Sequence, residues 1–531
     1  VSAVYQSKRE PRAKQAEALA WIRGRTTGAL LMGRRVGKTK VIVDEWGKSV
    51  ASCEIIRYGA QWCYMRDLLI VAPGGVYRTW DEAVDLDLDE GLLDHARILV
   101  WDSSRAGTRL FCDTQESFLV HDGPRILIMN AEALSVKKGD KRARKLAAQF
   151  VGPGCTMVID ESVIIKNREA NVSKFCCETL GPRCGRRFIL TGLVSPRDPL
   201  DVYAQFRFLD RRILPETFPV FRSKYAEVNY VCTLPDRVVD AKYRQVLKHE
   251  PNPFLNRSGK CAEIIEAGGW VQCRPVIKEW KNIEELGKRL DPWSFRARLE
   301  DCYDLPPSDY SFRDVEMTPQ QARAYAEMRD LARIEFETQE NAVTANQVVV
   351  QMLRLHQVLC GHTKLDDGRL VHLPENRTTS LLELLNDHEG KAIIWCAYGN
   401  DLTRVVDALI NEYGAGSVAV FYGGNLDVRE DQEKAFKTNP CCRFMVATPD
   451  AGGRGRTWDG ADLVVYYSQR NNLDHRLQSE DRAKNVGKTR SISYVDMRVP
   501  GTVEDKIIDA LRKKMDLSAM VEGTDPLEWL V

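Results

Sequence analysis

The apolar residues of this chain fall into two series of short continuous runs. In the first series, Ala29–Met32, Leu68–Pro73 (LLIVAP), Arg125–Met129 (RILIM), Thr156–Asp160 and Phe188–Gly192 (FILTG) are each closed by turn or polar residues. Runs of that length with no polar alternation predict parallel strands buried on both faces. Residues 11–22, PRAKQAEALAWI, space Ala16, Leu19, Ala20 and Ile22 as a helix does, and PLDVYAQFRFLD, after the fifth run, also reads as helical. The second series is Ala392–Ala397, Val418–Phe421, Arg443–Ala447, Leu463–Tyr467 and Ile492–Val495, again with helical stretches between. Between the series, Thr318–Phe336 and Ala345–Leu359 are amphipathic helices. The stretch from Phe221 to Asp314 breaks the rhythm with Pro, Gly, Trp and charge in irregular order; its clearest element is a helix over Asn282–Leu290, and Arg289, Arg296 and Arg298 make it locally basic. The pattern predicts an α/β protein with two parallel-sheet lobes in tandem: lobe one over 1–220, a mainly helical inserted or linking subdomain over 221–314, and lobe two over 315–531.

Chemistry enters at the end of the first run. Leu30–Val43, LLMGRRVGKTKVIV, is a strand, a turn from Gly33 to Gly37, then a helix. Gly37 lets the backbone approach an anion, the helix start offers unpaired N–H groups, Lys38 brings positive charge and the Thr39 hydroxyl is a ligand for Mg²⁺. About 120 residues later, TMVIDESVIIKN ends a strand in Asp160 and Glu161. Open α/β sheets place their chemistry at such strand ends, where one carboxylate holds Mg²⁺ and its neighbour takes a proton from attacking water. By itself an acidic pair is as readily a helix cap, and the GKT loop upstream tips the reading to a nucleoside triphosphate site. Gln15, one helix ahead of the loop, has a side-chain amide suited to an adenine edge. In the second half, TPDAGGRG at Thr448–Gly455 is a Gly-rich turn, and Asn472–Arg490 puts Gln478 and Arg482 on a charged helix and its end. With one half carrying the phosphate loop and the other an arginine, nucleotide belongs in the cleft between them, with Arg482 reaching the γ-phosphate.

Composition narrows the class without fixing a partner. A chain of 531 residues exceeds a single core, and a net charge of +1 excludes a global basic field while leaving room for a basic cleft. No apolar run approaches the ~20 residues of a membrane helix, and residues 1–30 lack the order of a secretory signal. The expected location is the cytoplasm, that of a host cell if the source is viral, with no membrane partner. The fifteen cysteines contain no CxxC pair and read as reduced, structural thiols rather than zinc ligands or disulfides.

Taken together, these stretches resemble the Swi/Snf-type ATPases, a branch of the superfamily-two helicases, and in particular their compact bacteriophage and bacterial forms. PRAKQ is similar to the family's adenine-reading opening, MGRRVGKTK to its phosphate loop, and IVAPGGVYRTW and IMNAEALS to its two lobe-one DNA-strand motifs. IDESVIIKN resembles the DEAH-type box with its trailing KN, and LTGLVSPRDPLDVYAQFRFLD the third motif. KAIIWCAY, TPDAGGRGRTWDGADLVVYYS and QSEDRAKNVGKTRSISYVDMRVPGTVEDKI resemble the fourth to sixth. The resemblance implies two RecA-like lobes and an ATP-dependent translocase on double-stranded DNA. It implies a nucleotide site of Gln15, Gly33, Arg35, Gly37, Lys38, Thr39, Gly455 and Gln478, with Thr39 and Asp160 on Mg²⁺, Glu161 on the attacking water and Arg482 on the transition-state charge. DNA phosphates and sugars would meet Pro73, Gly74, Asn130 and Glu132 on one lobe and Thr448, Gly452 and Gly453 on the other. A protein partner would use residues 221–314.

Four departures carry consequences. Val163 stands where the family has His, Leu193 and Val194 where it has Thr-Pro, Asn485 where it has a second Arg, and Arg35 where glycine is usual. In the wider superfamily the positions of Val163 and Leu193 approach each other and couple phosphate to DNA, and replacing both with apolar groups predicts weaker DNA stimulation. Asn485 cannot neutralise charge, so Lys484, Lys488 or Arg490 must do so if anything does. Two alternatives to the translocase stay open: a nucleotide-switched DNA clamp with little turnover, and a strand-separating DNA or RNA helicase.

Overall fold

The computed structural model describes residues 5–135, 141–233, 272–303, 306–338, 345–364, 369–425, 428–452, 458–485, 488 and 490–522. Both series of apolar runs form parallel sheets. The first sheet has seven strands, in the order Ser294–Ala297, Thr27–Met32, Arg186–Thr191, Cys155–Asp160, Asp67–Ala72, Arg125–Asn130 and Arg97–Val100. Its central strands bury every residue or nearly so because helices cover both faces. Successive residues alternate between two apolar clusters: Leu31, Leu69, Val71, Met157 and Ile159 on one face, and Leu30, Leu68, Ile70, Val158 and Leu190 on the other.

The second sheet has six strands, in the order Ser308–Asp314, Ile492–Arg498, Ala461–Tyr466, Lys391–Trp395, Phe444–Ala447 and Val418–Phe421. It too feeds a cluster on each face, Ile394, Val446, Val465 and Met497 against Ile393, Trp395, Met445 and Tyr494. Helix Gly399–Tyr413 covers one face through Leu402, Val405 and Leu409. Among the described residues no helix is long and apolar enough to cross a membrane, and the twelve cysteines whose side chains are described are free thiols.

Residues 221–314 depart from the separate, mainly helical unit expected of them. Phe221, Tyr225 and helix Ile283–Leu290 join the apolar cluster on one face of the first sheet. Ser294–Ala297 pairs in parallel with Ala29–Met32, whereas Ser308–Asp314 pairs with Ile492–Arg498 of the second sheet. Between Tyr225 and helix Ile283–Leu290 the described residues form an antiparallel pair, Ala226–Thr233 with Gln272–Trp280. Three strands of the two sheets escape the sequence pattern, and all three are edge strands: Arg97–Val100, and SFRA and SDYSFRD, which carry polar residues because one side of each is open. Part of the stretch expected to meet a protein partner, residues 234–271, lies outside the described residues.

Candidate active site

Strand Thr27–Met32 delivers the chain to the turn of Gly33–Gly37, and helix Lys38–Ala51 follows. Gly37 has φ 98°, a left-handed conformation that L side chains rarely adopt, and a Cβ there would lie 2.1 Å from Gln15 Nε2. Gln15 is buried against the loop, where its Nε2 donates to Val36 O at 2.8 Å and its Oε1 accepts from the Arg12 N–H at 2.9 Å. The structure therefore brings Gln15 to the phosphate loop as a brace of its backbone. Lys38 Nζ donates to the carbonyls of Met32 (2.8 Å) and Gly33 (3.4 Å), and the Gly33 N–H donates to Ala297 O at 2.8 Å. Thr39, half-buried, is the next residue of the helix. Arg35 is left-handed at φ 63°, and burial pushes its guanidinium below the ordinary arginine value against the opposing pull of Asp481 and Asp459.

Asp160 ends its strand beside this loop. Its Oδ2 accepts from Trp80 Nε1 and its Oδ1 from the Glu161 N–H, both at 2.9 Å. Burial, then the neighbouring Glu161 charge, pushes the Asp160 carboxyl up to about 6, with Lys38 pulling the other way. A half-buried carboxylate so disfavoured fits the donor set of a hard divalent cation such as Mg²⁺, and the Thr39 hydroxyl is an oxygen donor of the same kind. Glu161 is left-handed at φ 46°, a kink that parts the two adjacent carboxyl groups.

Across the cleft stands the end of helix Leu473–Glu480 and the turn after it. The bridging residue is one the sequence reading passed over. Arg34 reaches both sides: its guanidinium lies 3.8 Å from Glu161 Oε1 and 3.8 Å from Asp481 Oδ2, and donates to Gln478 O at 3.5 Å. Its only sequence signal was the doubled arginine inside a phosphate loop. Arg482 is buried, and its guanidinium is pushed down to about 9 by burial and then by the like charge of Arg34. Gln478 is buried and its Nε2 donates to Asp474. A cavity of about 730 Å³ between the sheets is lined by Gly33, Arg34, Arg35, Glu161, Gln478 and Asp481 among others.

The basic residues after Arg482 separate by partner. Lys484 pairs with Glu300 across the cleft at 3.8 Å; burial opposes its charge, but Asp481, Glu480 and Glu300 hold it above the ordinary lysine value. Asn485 Nδ2 donates to Asp459, Lys488 Nζ to the carbonyls of Asp459, Ala461 and Ala483, and Arg490 lies 3.5 Å from Asp462, all within the second lobe.

The residues expected on DNA gather in two places. Pro73 and Gly74 follow strand Asp67–Ala72, and Asn130 ends the adjacent strand. Glu132 joins them, its carboxylate accepting from the Gly74 N–H at 3.2 Å and from Asn130 Nδ2 at 3.3 Å. Thr448 follows strand Phe444–Ala447, and Gly452 ends the short helix Pro449–Gly452. Gly453 and Gly455 lie outside the described residues.

A family model described as "SNF2-related domain" matches residues 14–365, and one described as "Helicase conserved C-terminal domain" matches residues 376–487. The TATA-binding protein-associated factor MOT1 of Saccharomyces cerevisiae is 22% identical over 416 residues, 68% of this chain and 20% of that protein. A probable chromatin-remodeling complex ATPase chain of Oryza sativa is 25% identical over 273 residues, 48% of this chain and 24% of its own. The chain thus spans about a fifth to a quarter of the length of these relatives. A solved structure, the Sulfolobus solfataricus SWI2/SNF2 ATPase core in complex with dsDNA, aligns over 98% of this chain and 95% of its own at 20% identity, with a TM-score of 0.39.

Proposed function

Because the chain belongs to the SNF2-related domain family of ATP-hydrolysing enzymes, we propose that it is an ATP-dependent translocase on double-stranded DNA, hydrolysing ATP in the cleft between its two sheets. The observation that carries this reading is convergence. The phosphate loop, the Asp160–Glu161 pair and the Gln478–Arg482 segment come from distant parts of the chain, and Arg34 touches the last two at once.

In this reading Lys38 and the loop N–H groups hold the β- and γ-phosphates, Thr39 and Asp160 hold Mg²⁺, and Gln15 adds an adenine contact to its hold on the loop. Mg²⁺ supplies neutralisation of phosphate charge when bound. Glu161 orients the attacking water and accepts its proton as the terminal P–O bond breaks. Arg482 and Arg34 stabilise the charge that develops. Gly74, Asn130 and Glu132 on one lobe and Thr448 and Gly452 on the other meet the DNA backbone, which predicts little sequence preference. The reaction belongs in the cytoplasm, of a host cell if the source is viral.

ATP hydrolysis titrated with duplex DNA, single-stranded DNA and RNA tests the substrate, and triplex displacement tests movement. Duplex stimulation with triplex displacement is expected; a Glu161→Gln variant that hydrolyses ATP as fast as the parent sinks the enzyme reading. A nucleotide-switched clamp is the second reading, favoured by the commitment of Asn485 and Lys488 to partners within their own lobe. Tight, nucleotide-dependent duplex binding without turnover identifies it.

A further inference from the structure

Val163 and Leu193, apolar where the superfamily couples its second and third motifs, leave open what joins the carboxylate pair to the opposite lobe. The structure offers another connection one residue away from each. Ser162, adjacent to Glu161 and fully buried, donates its hydroxyl to Gln205 Oε1 at 2.6 Å. Gln205, also fully buried, donates both hydrogens of its amide, to Val194 O at 2.7 Å and to Asp201 O at 2.9 Å. Val194 belongs to the apolar core of the first lobe, yet both its neighbours face the second. Leu193 is a member of the second lobe's apolar cluster, with Val358, Leu381 and Ile507, and Ser195 Oγ lies 3.1 Å from Ser518 Oγ on helix Val503–Glu522. The chain at 193–195 is therefore gripped by one lobe through its side chains and by the other through the carbonyl between them.

We infer that Ser162 and Gln205 are positioning residues that transmit displacement of the second lobe to Glu161, along Leu193 and Ser195, the Val194 carbonyl, the Gln205 amide and the Ser162 hydroxyl. The links from Val194 through Gln205 to Ser162 are hydrogen bonds between fully buried groups, where a displaced partner leaves a polar group unpaired and must be followed. The connection rests on the proposed ATPase reading, since it is the orientation of Glu161 that it sets. It assigns DNA responsiveness to two residues that touch neither nucleotide nor DNA.

The test is steady-state ATP hydrolysis by the full chain with and without saturating duplex DNA, in Ser162→Ala, Gln205→Leu and the double variant. The ratio of stimulated to unstimulated rate is expected to fall about fivefold or more in each single variant, within the range of energetic couplings between sites. The double variant is expected to be no worse than the more severe single one, because both cut one connection. Ser162→Thr, which keeps the hydroxyl, is expected to retain the ratio, and KM for ATP is expected to stay at the parent value throughout. A ratio unchanged in both single variants overturns the inference. Should Gln205→Leu fail to fold, Ser162→Ala and Ser518→Ala cut the two ends and carry the same expectation. A Glu161→Gln variant run alongside separates the cases: if it hydrolyses ATP like the parent, the ATPase reading has failed rather than the connection.

Discussion

Glu504→Gln tests the second lobe where its packing and its charge meet. Both carboxylate oxygens of Glu504 accept from one nitrogen of Arg377, at 2.6 and 2.7 Å, and Oε2 also accepts from the Val499 N–H at 2.7 Å. Arg377, fully buried, sends its other terminal nitrogen to Tyr467 O at 2.6 Å and Met497 O at 3.2 Å, joining two adjacent strands of the sheet. Burial pushes the Glu504 carboxyl up, but Arg377 and His356 outweigh it and hold it at about 2 against an ordinary 4.5. That difference corresponds to about 3 kcal/mol favouring the folded state. Because the folded-state value is depressed, the contribution is present above pH 4.5 and is lost as pH falls towards 2. At neutral pH the amide leaves a buried guanidinium without its counter-charge, a loss of about 3–5 kcal/mol. Hydrogen exchange on peptides from Ala461–Tyr466 and Ile492–Arg498 reads this lobe separately from the other. The parent is expected to lose protection on acidification and the variant to start lower without that dependence. A neutral-pH loss below about 1 kcal/mol, the range of exposed pairs, would refute the reasoning.

Gly37→Ala is expected to abolish binding of a fluorescent ATP analogue and to cost at least ~1–2 kcal/mol in stability, since the left-handed backbone resists a side chain and the new Cβ would strike Gln15. Arg34→Ala is expected to lower kcat by about tenfold or more with a smaller change in KM, the pattern of a contact that matters most in the transition state; Arg34→Lys, which keeps the charge, should recover part of the loss, and equal kinetics in all three proteins would remove Arg34 from the site. Duplex affinity, read by anisotropy, is expected to fall linearly on a logarithmic salt scale, and Asn130→Ala to weaken binding equally across sequences.

Legibility in the sequence followed burial. Strands such as Ile70 and Val71, or Ile393 and Ile394, are covered on both faces, so their apolar runs are continuous and need no context to read. Ser294–Ala297 and Ser308–Asp314 owe their places to sheet edges, and a polar four- or seven-residue segment says nothing of the sheet it will join. The site divides in the same way. Lys38, Asp160 and Glu161 sit at fixed offsets from strand ends, which local pattern reveals. Arg34, Ser162 and Gln205 act through partners 33 to 447 positions away, at Gln205 and Val194 for the shorter spans and at Asp481 for the longest, and only the tertiary structure supplies those. Both members of the doubled arginine line the cavity, and the reach of Arg34 to Glu161 and Asp481 is set by the fold of the turn, in which residue 35 is left-handed.

The arginines of the cleft also fix a sign that can be tested without DNA. Arg34, Arg35 and Arg482 share a region in which burial and mutual repulsion push the guanidinium of Arg482 down from the ordinary arginine value to about 9. Keeping that group charged at neutral pH costs the closed protein on the order of several kcal/mol, since each tenfold step in an ionisation constant is worth about 1.4 kcal/mol. An anion of high charge placed between the lobes offsets this cost, so cleft closure and triphosphate binding are linked, each favouring the other. Arg482→Met keeps much of the side chain's bulk and removes a charge that burial and Arg34 disfavour, so it is expected to raise the melting temperature of the nucleotide-free protein, as replacing buried ions by apolar groups of similar volume does in other proteins. The same variant is expected to lose most of the thermal stabilisation that ATP gives the parent. A variant that melts lower than the parent and still responds fully to ATP would show that Arg482 is a structural cation of the second lobe and does not face the nucleotide.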